Sequence, residues 1–112
     1  MIETIIQDHL TDAGFTAYME IPEGGGTPPF VLIERTGGGE ENHLSSATVA
    51  IQSYGATLYE AAALNERVKV AMDQIVELPE IAACDLNSDY NYTDTTKKKP
   101  RYQAVYSLVY YD

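Results

Sequence analysis

Residues 57–79 read TLYEAAALNERVKVAMDQIVELP, and this stretch decides the fold. Thr57-x-x-Glu60 is a capping box: the Thr hydroxyl accepts from the third helical amide while the Glu side chain reaches back. Ala61, Leu64, Val68, Ala71, Ile75 and Leu78 then recur at spacings of three and four. Glu66, Lys69, Asp73 and Glu77 lie on the opposite side, and Pro79 stops the helix. A helix with one apolar stripe must bury it, normally against a sheet.

The sheet is written on either side of this helix. Downstream, Cys84, Leu86, Ser88, Tyr90 and Tyr92 share one face of an alternating strand, and Asp85, Asn87, Asp89 and Asn91 share the other. After a turn at Thr93–Pro100, Tyr102, Ala104, Tyr106, Leu108 and Tyr110 line one side of a last strand. The two form a hairpin with aromatic cross-strand pairs. Tyr110 and Tyr111 are adjacent, so one of them lies outside the core. Upstream, Phe30–Arg35 and Thr48–Tyr54 predict a second hairpin. Its long tip loop is expected to open at Gly37–Gly39 and run to about Ser46.

The N-terminal third completes the order. Ile2, Ile5, Ile6, His9, Leu10 and Ala13 form one stripe of a first helix, closed by Gly14. Ala17, Met19 and Ile21 alternate as a short strand ended by Pro22, and Gly24–Gly26 with Pro28 and Pro29 form a loop. The expectation is a single α+β domain over residues 1–112, in the order α-β-β-β-α-β-β. It has an antiparallel-rich mixed sheet of about five strands, covered on one face by two helices.

Composition narrows the function. Seven Lys and Arg against seventeen Asp and Glu give a net charge of −10, which repels phosphate backbones and anionic lipid alike. The N-terminus has no basic region before a long apolar run, so no signal peptide is expected. Apolar runs of four or five residues are too short to span a bilayer. A single cysteine, Cys84, offers no internal disulfide and suits a reducing cytoplasm.

Candidate chemical motifs fall short one by one. Asp85-x-Asn87-x-Asp89 matches the opening of a calcium loop, but Tyr90 stands where a glycine should turn the chain and Thr96 where a bidentate Glu should close it. Gly37–Gly39 leads into Glu40 and Glu41, which would repel a phosphate. His9, His43 and Cys84 sit in three segments without metal-ligand spacing. No nucleophile motif is present, so neither an enzyme nor a bound cofactor is expected. Lys97, Lys98, Lys99 and Arg101 hold four of the seven cations and suit docking on an acidic surface, such as a neighbouring copy. Nine tyrosines in so short a chain also favour an interface.

Three stretches carry a family resemblance. FVLIERTGG (30–38), ATVAIQSYGATLYEAAALNERV (47–68), and Asp89-Tyr90 with RYQAVY (101–106) resemble the tail-terminator, or tail-completion, proteins of the head–tail connector of long-tailed phages. The resemblance extends over about Ile2 to Tyr110. It implies an α+β fold with a helix pair on a sheet. It also implies a hexameric ring that caps the tail tube, meets the major tail tube protein and a neck or head-completion protein, and lets DNA pass without specific binding. The place implied is the virion tail or neck, reached from the host cytoplasm during assembly. No catalytic residue carries over. Some of Glu40, Glu41, Asp85 and Asp89 are expected at the lumen or a partner ring, and Lys97–Lys99 at a subunit boundary. A neck or head-completion subunit is the alternative, and a small metal- or ligand-binding domain built on Asp85–Asp89 is a third.

Overall fold

Thr57 caps the second helix as its sequence dictates: in the computed structural model, which describes residues 1–111, its Oγ1 accepts from Glu60 N at 3.1 Å. The element order is α1 (Ile2–Asp12), β1 (Ala17–Tyr18), β2 (Phe30–Glu41), β3 (Leu44–Tyr54), α2 (Leu58–Asp73), β4 (Ile81–Asn91) and β5 (Arg101–Tyr111). Both helices lie on one face of a five-stranded mixed sheet with spatial order β1-β2-β3-β5-β4. β1 runs parallel to β2, and the other pairs are antiparallel. The connection through α2 carries the chain past one strand position, and the β4–β5 hairpin then returns β5 to the side of β3.

The helical stripes meet the sheet as the periodicity requires. Ile2, Ile6 and Leu10 of α1 and Leu64, Val68 and Met72 of α2 pack on Val31, Ile33, Val49, Ile51, Tyr106 and Leu108. Each such aliphatic side chain contributes about 1.5–3 kcal/mol by leaving water. Past Asp73 the helical path tightens to a 3-10 turn at Ile75–Glu77, since Pro79 cannot continue an α-helical ladder. His9 belongs to the packing: its Nε2 lies 2.7 Å from Ala71 O, tying α1 to α2. Gly55 has no room for a side chain, because a Cβ there would press on Ala61 N and lie 2.8 Å from Glu60 C.

Three expectations are corrected. Gly37–Gly39 is not a loop. β2 runs on through the glycines to Glu41, and the turn is only Asn42 and His43, with φ of 53° and 68°. Left-handed residues at both central positions make the tight turn that matches strand twist. A bulge between Arg35 and Gly37 absorbs the register change. The strict alternation of 84–92 is the second correction. A bulge at Leu86/Ser88 inserts one residue, so every later side chain changes face. Asp89 therefore pairs with Ala104 on the helix-covered side, while Asp85 pairs with Ser107 on the other. The first short strand also ends at Tyr18, leaving Met19 and Ile21 exposed.

Candidate functional site

The sheet face opposite the helices carries a polar and aromatic ladder. Alternation along β3 and β5 puts Gln52, Tyr54, Arg101 and Gln103 there, beside Tyr90 of β4. Gln52 Nε2 donates to Gln103 Oε1 at 2.9 Å, and Gln103 Nε2 donates to the Tyr90 hydroxyl at 2.7 Å. Tyr54 OH donates to Gln52 Oε1 at 3.1 Å. These groups floor a groove of about 530 Å³, walled by Ile21 and Leu32 on one side and Tyr92 on the other. Phe30, Leu32 and Tyr54 form a small apolar cluster at its end, with the Phe30 and Tyr54 rings edge to face at 4.5 Å.

Arg101 is anchored in this ladder at the foot of the turn that carries Lys97–Lys99. Its Nε donates to Tyr92 O at 2.6 Å, and its Nη1 to Tyr54 OH at 2.9 Å and Gln52 Oε1 at 3.3 Å. The guanidinium lies over the Tyr92 ring at 4.5 Å and the Tyr54 ring at 5.7 Å. Strand alternation turns Arg101 into the groove, while its charge and that of Lys97 both act on Asp94 in the adjoining turn. Lys97, Lys98 and Lys99 stay exposed on the β4–β5 turn. Asp94 Oδ1 shapes that turn by accepting from Thr96 N at 3.0 Å and Lys97 N at 3.1 Å. The Lys97 amide is the main reason its carboxyl sits below the usual range. Lys99 Nζ reaches the glycine loop, 3.0 Å from where a Cβ on Gly25 would stand.

The expected acidic wall is divided. Glu41 pairs with Leu44 and Glu40 with Ser45, on opposite faces of the β2–β3 tip. Asp85 is exposed on the groove side of the sheet. Asp89 is withdrawn from any wall. Its Oδ2 accepts from Lys69 Nζ at 2.9 Å and Asn65 Nδ2 at 2.8 Å, both on α2. The Lys69 hydrogen bond holds the Asp89 carboxyl below its ordinary range. Hydrogen bonds from Glu66 first, then Asp89, hold the Lys69 ammonium above its own. Asp85 and Asp89 therefore cannot converge on one ion. Among the described residues no group of three or more His, Cys, Asp or Glu is placed to hold a metal.

Charge and shape are both polarised along the strands. Residues 34–44 are exposed without a break, so the outer half of β2 and the Asn42–His43 turn form an edge arm that buries little, while the β3 half stays in the sheet, with Ser45 and Ala47 buried and paired with β5. The arm's end of the sheet pairs Leu44 with Tyr111, and the lysine end pairs Tyr54 with Arg101. At roughly 3.3 Å per residue the acidic and basic ends are about 33 Å apart, on a body whose longest extent is 44 Å. Among the described residues no helix is long and apolar enough to cross a membrane.

Sequence reasoning did not find Gln52 and Gln103. The signal available was a long polar residue at the non-core position of two core-forming strands, and only the cross-strand register joins the pair. No protein-family model matches the chain, and no curated protein matches it significantly in sequence.

Proposed function

We propose that this chain is a non-enzymatic assembly subunit of the phage head–tail connection, a tail-terminator-type protein that forms a ring with copies of itself. The ring caps the tail tube, meets the major tail tube protein on one side and a neck or head-completion protein on the other, and resides in the virion. The observation that carries the reading is the exposed arm of residues 34–44, acidic at its tip, on a body whose other end presents Lys97–Lys99. A segment that buries so little at home, facing opposite charge on a second copy, suits a head-to-tail contact, which closes into a ring when its rotation allows. Lys97–Lys99 lie at the subunit boundary. The net charge of −10 suits a passage along which DNA slides without sticking.

The α+β architecture that the resemblance implies is the one the chain adopts, which supports the reading without singling out the terminator. A neck subunit would share the fold and differ in its partner. Purified protein is incubated with tail tubes and, separately, with portal-bearing heads, and imaged by negative stain. The terminator reading expects density on tube ends. Density only on portals makes the chain a neck subunit, and density on neither contradicts both. A calcium-binding domain predicts heat in a calorimetric titration. The opposed faces of Asp85 and Asp89 predict none.

A further inference from the structure

Arg101 is held as a ready-made anion receptor. Three neutral oxygens and two aromatic rings fix its guanidinium; among the described residues no carboxylate forms a salt bridge with it, although Asp94 of the β4–β5 turn feels its charge and Glu34 lines the same groove. Its Nη2 donates to nothing among the described residues. A cation ordered in advance and left one open edge is the arrangement that favours a carboxylate, because the partner need not pay for ordering the fork. The groove beneath it, about 530 Å³, has room for a few side chains, and Tyr90 and Tyr92 supply its rim.

We propose that Arg101 receives the acidic tip of the β2–β3 arm from a second copy of this chain, with Glu41 on the guanidinium and Glu40 beside Lys97–Lys99. The inference rests on the ring reading and names its contact. The tip is narrow: only the Asn42–His43 turn stands beyond Leu44, where β3 pairs with Tyr111 of β5, and Glu40 and Glu41 lead into that turn along the edge strand β2. A molecule cannot fill its own groove this way. β3 is continuous from Leu44 to Tyr54, so the arm and the groove floor are opposite ends of one rigid strand. The contact must be made in trans, between unlike surfaces, as a closed ring demands.

A charge exchange tests it. One variant carries Glu41→Lys and keeps its groove; the other carries Arg101→Glu and keeps its arm. Each is followed by sedimentation velocity at low salt, alone and mixed, beside the wild type, with circular dichroism as the check on folding. The expected result is a wild type that assembles, two variants that each need at least about tenfold more protein to do so, and an equimolar mixture that assembles like the wild type. In the mixture position 41 of one variant meets position 101 of the other with opposite sign, and Glu40 stays opposite Lys97–Lys99. If Arg101→Glu unfolds, Arg101→Gln takes its place and is expected to show the same tenfold loss alone. Variants that assemble unchanged, or a mixture of folded variants that stays apart, overturn the arm-in-groove contact and leave the ring reading standing. A wild type that never self-associates, even with tail tubes supplied, removes both.

Discussion

Lys69 of α2 donates to Asp89 of β4 at 2.9 Å, and this bond turns a carboxylate that simple alternation puts outside into the pin between helix and edge strand. Asn65 shares the same oxygen, and both ionic side chains are about three-quarters buried, at 24% and 26% exposure. Asp89→Ala leaves the Asn65 amide without its acceptor and the Lys69 ammonium with Glu66 alone. A loss of about 1–3 kcal/mol is expected by urea denaturation. A loss below the error of that measurement would show the pin to be idle.

The same bond sets a pH dependence. The Asp89 carboxyl titrates lower in the folded chain than in the unfolded one, chiefly because of Lys69. Its contribution is present above the unfolded value of about 3.9 and is lost as pH falls through the folded value. The Lys69 ammonium titrates higher when folded, so its contribution is present below about 10.4 and is lost as pH rises through its folded value. Between pH 5 and pH 2 the wild type should lose more stability than Asp89→Asn does. Parallel losses would contradict the assignment.

Tyr106 is buried on the core side of β5, and its hydroxyl has no hydrogen-bond partner among the described residues. Burial pushes that phenol's pKa well up. Tyr106→Phe removes an unsatisfied polar group while keeping the ring, so stability should be unchanged or rise by up to about 1 kcal/mol. A fall in melting temperature would point to a partner for the hydroxyl.

Gly55 joins β3 to the capped start of α2. A methyl group there would press on the backbone of Glu60 and Ala61, which cannot yield as a side chain does. Gly55→Ala should cost about 1–3 kcal/mol, whereas Ala56→Gly at the exposed next position should cost far less. Chemical denaturation of the pair decides it. Equal losses would mean that the close approach carries no strain.

Cys84 is half-buried between β4 and α2, and burial, with Asp85 and Asp73 nearby, pushes its thiol up to about 11. Only about 0.1% is thiolate at pH 8. A disulfide reagent should modify the folded chain at least about a hundredfold more slowly than the urea-unfolded chain. Comparable rates would place the thiol in the open.

Local signals carried much of the fold. The Thr57 cap, the stripe from Ala61 to Ile75 and the core face of β5 are set by neighbours three or four residues away in a helix, or two in a strand, so they are legible in the sequence. The misread parts are bulges. Three glycines look like a loop because nothing local says that β3 will pair with them, and Asn42-His43 lacks the usual glycine of a two-residue turn. One extra residue at Asn87 reverses the side of Asp89, and alternation cannot register an insertion. The groove was the least legible feature. Gln52, Arg101 and Tyr90 come from three strands whose adjacency depends on β5 returning between β3 and β4. Tyr90, Tyr92 and Arg101 stood out as residue types, but what they build depends on that order.

The central claim is that this anionic chain works by fitting beside copies of itself around a passage. Negative-stain imaging of the purified protein with tail tubes, paired with sedimentation over a wide concentration range, tests it most directly. The account predicts closed rings of one fixed size, seated on tube ends. A chain that stays monomeric throughout and leaves every tube end bare would contradict it.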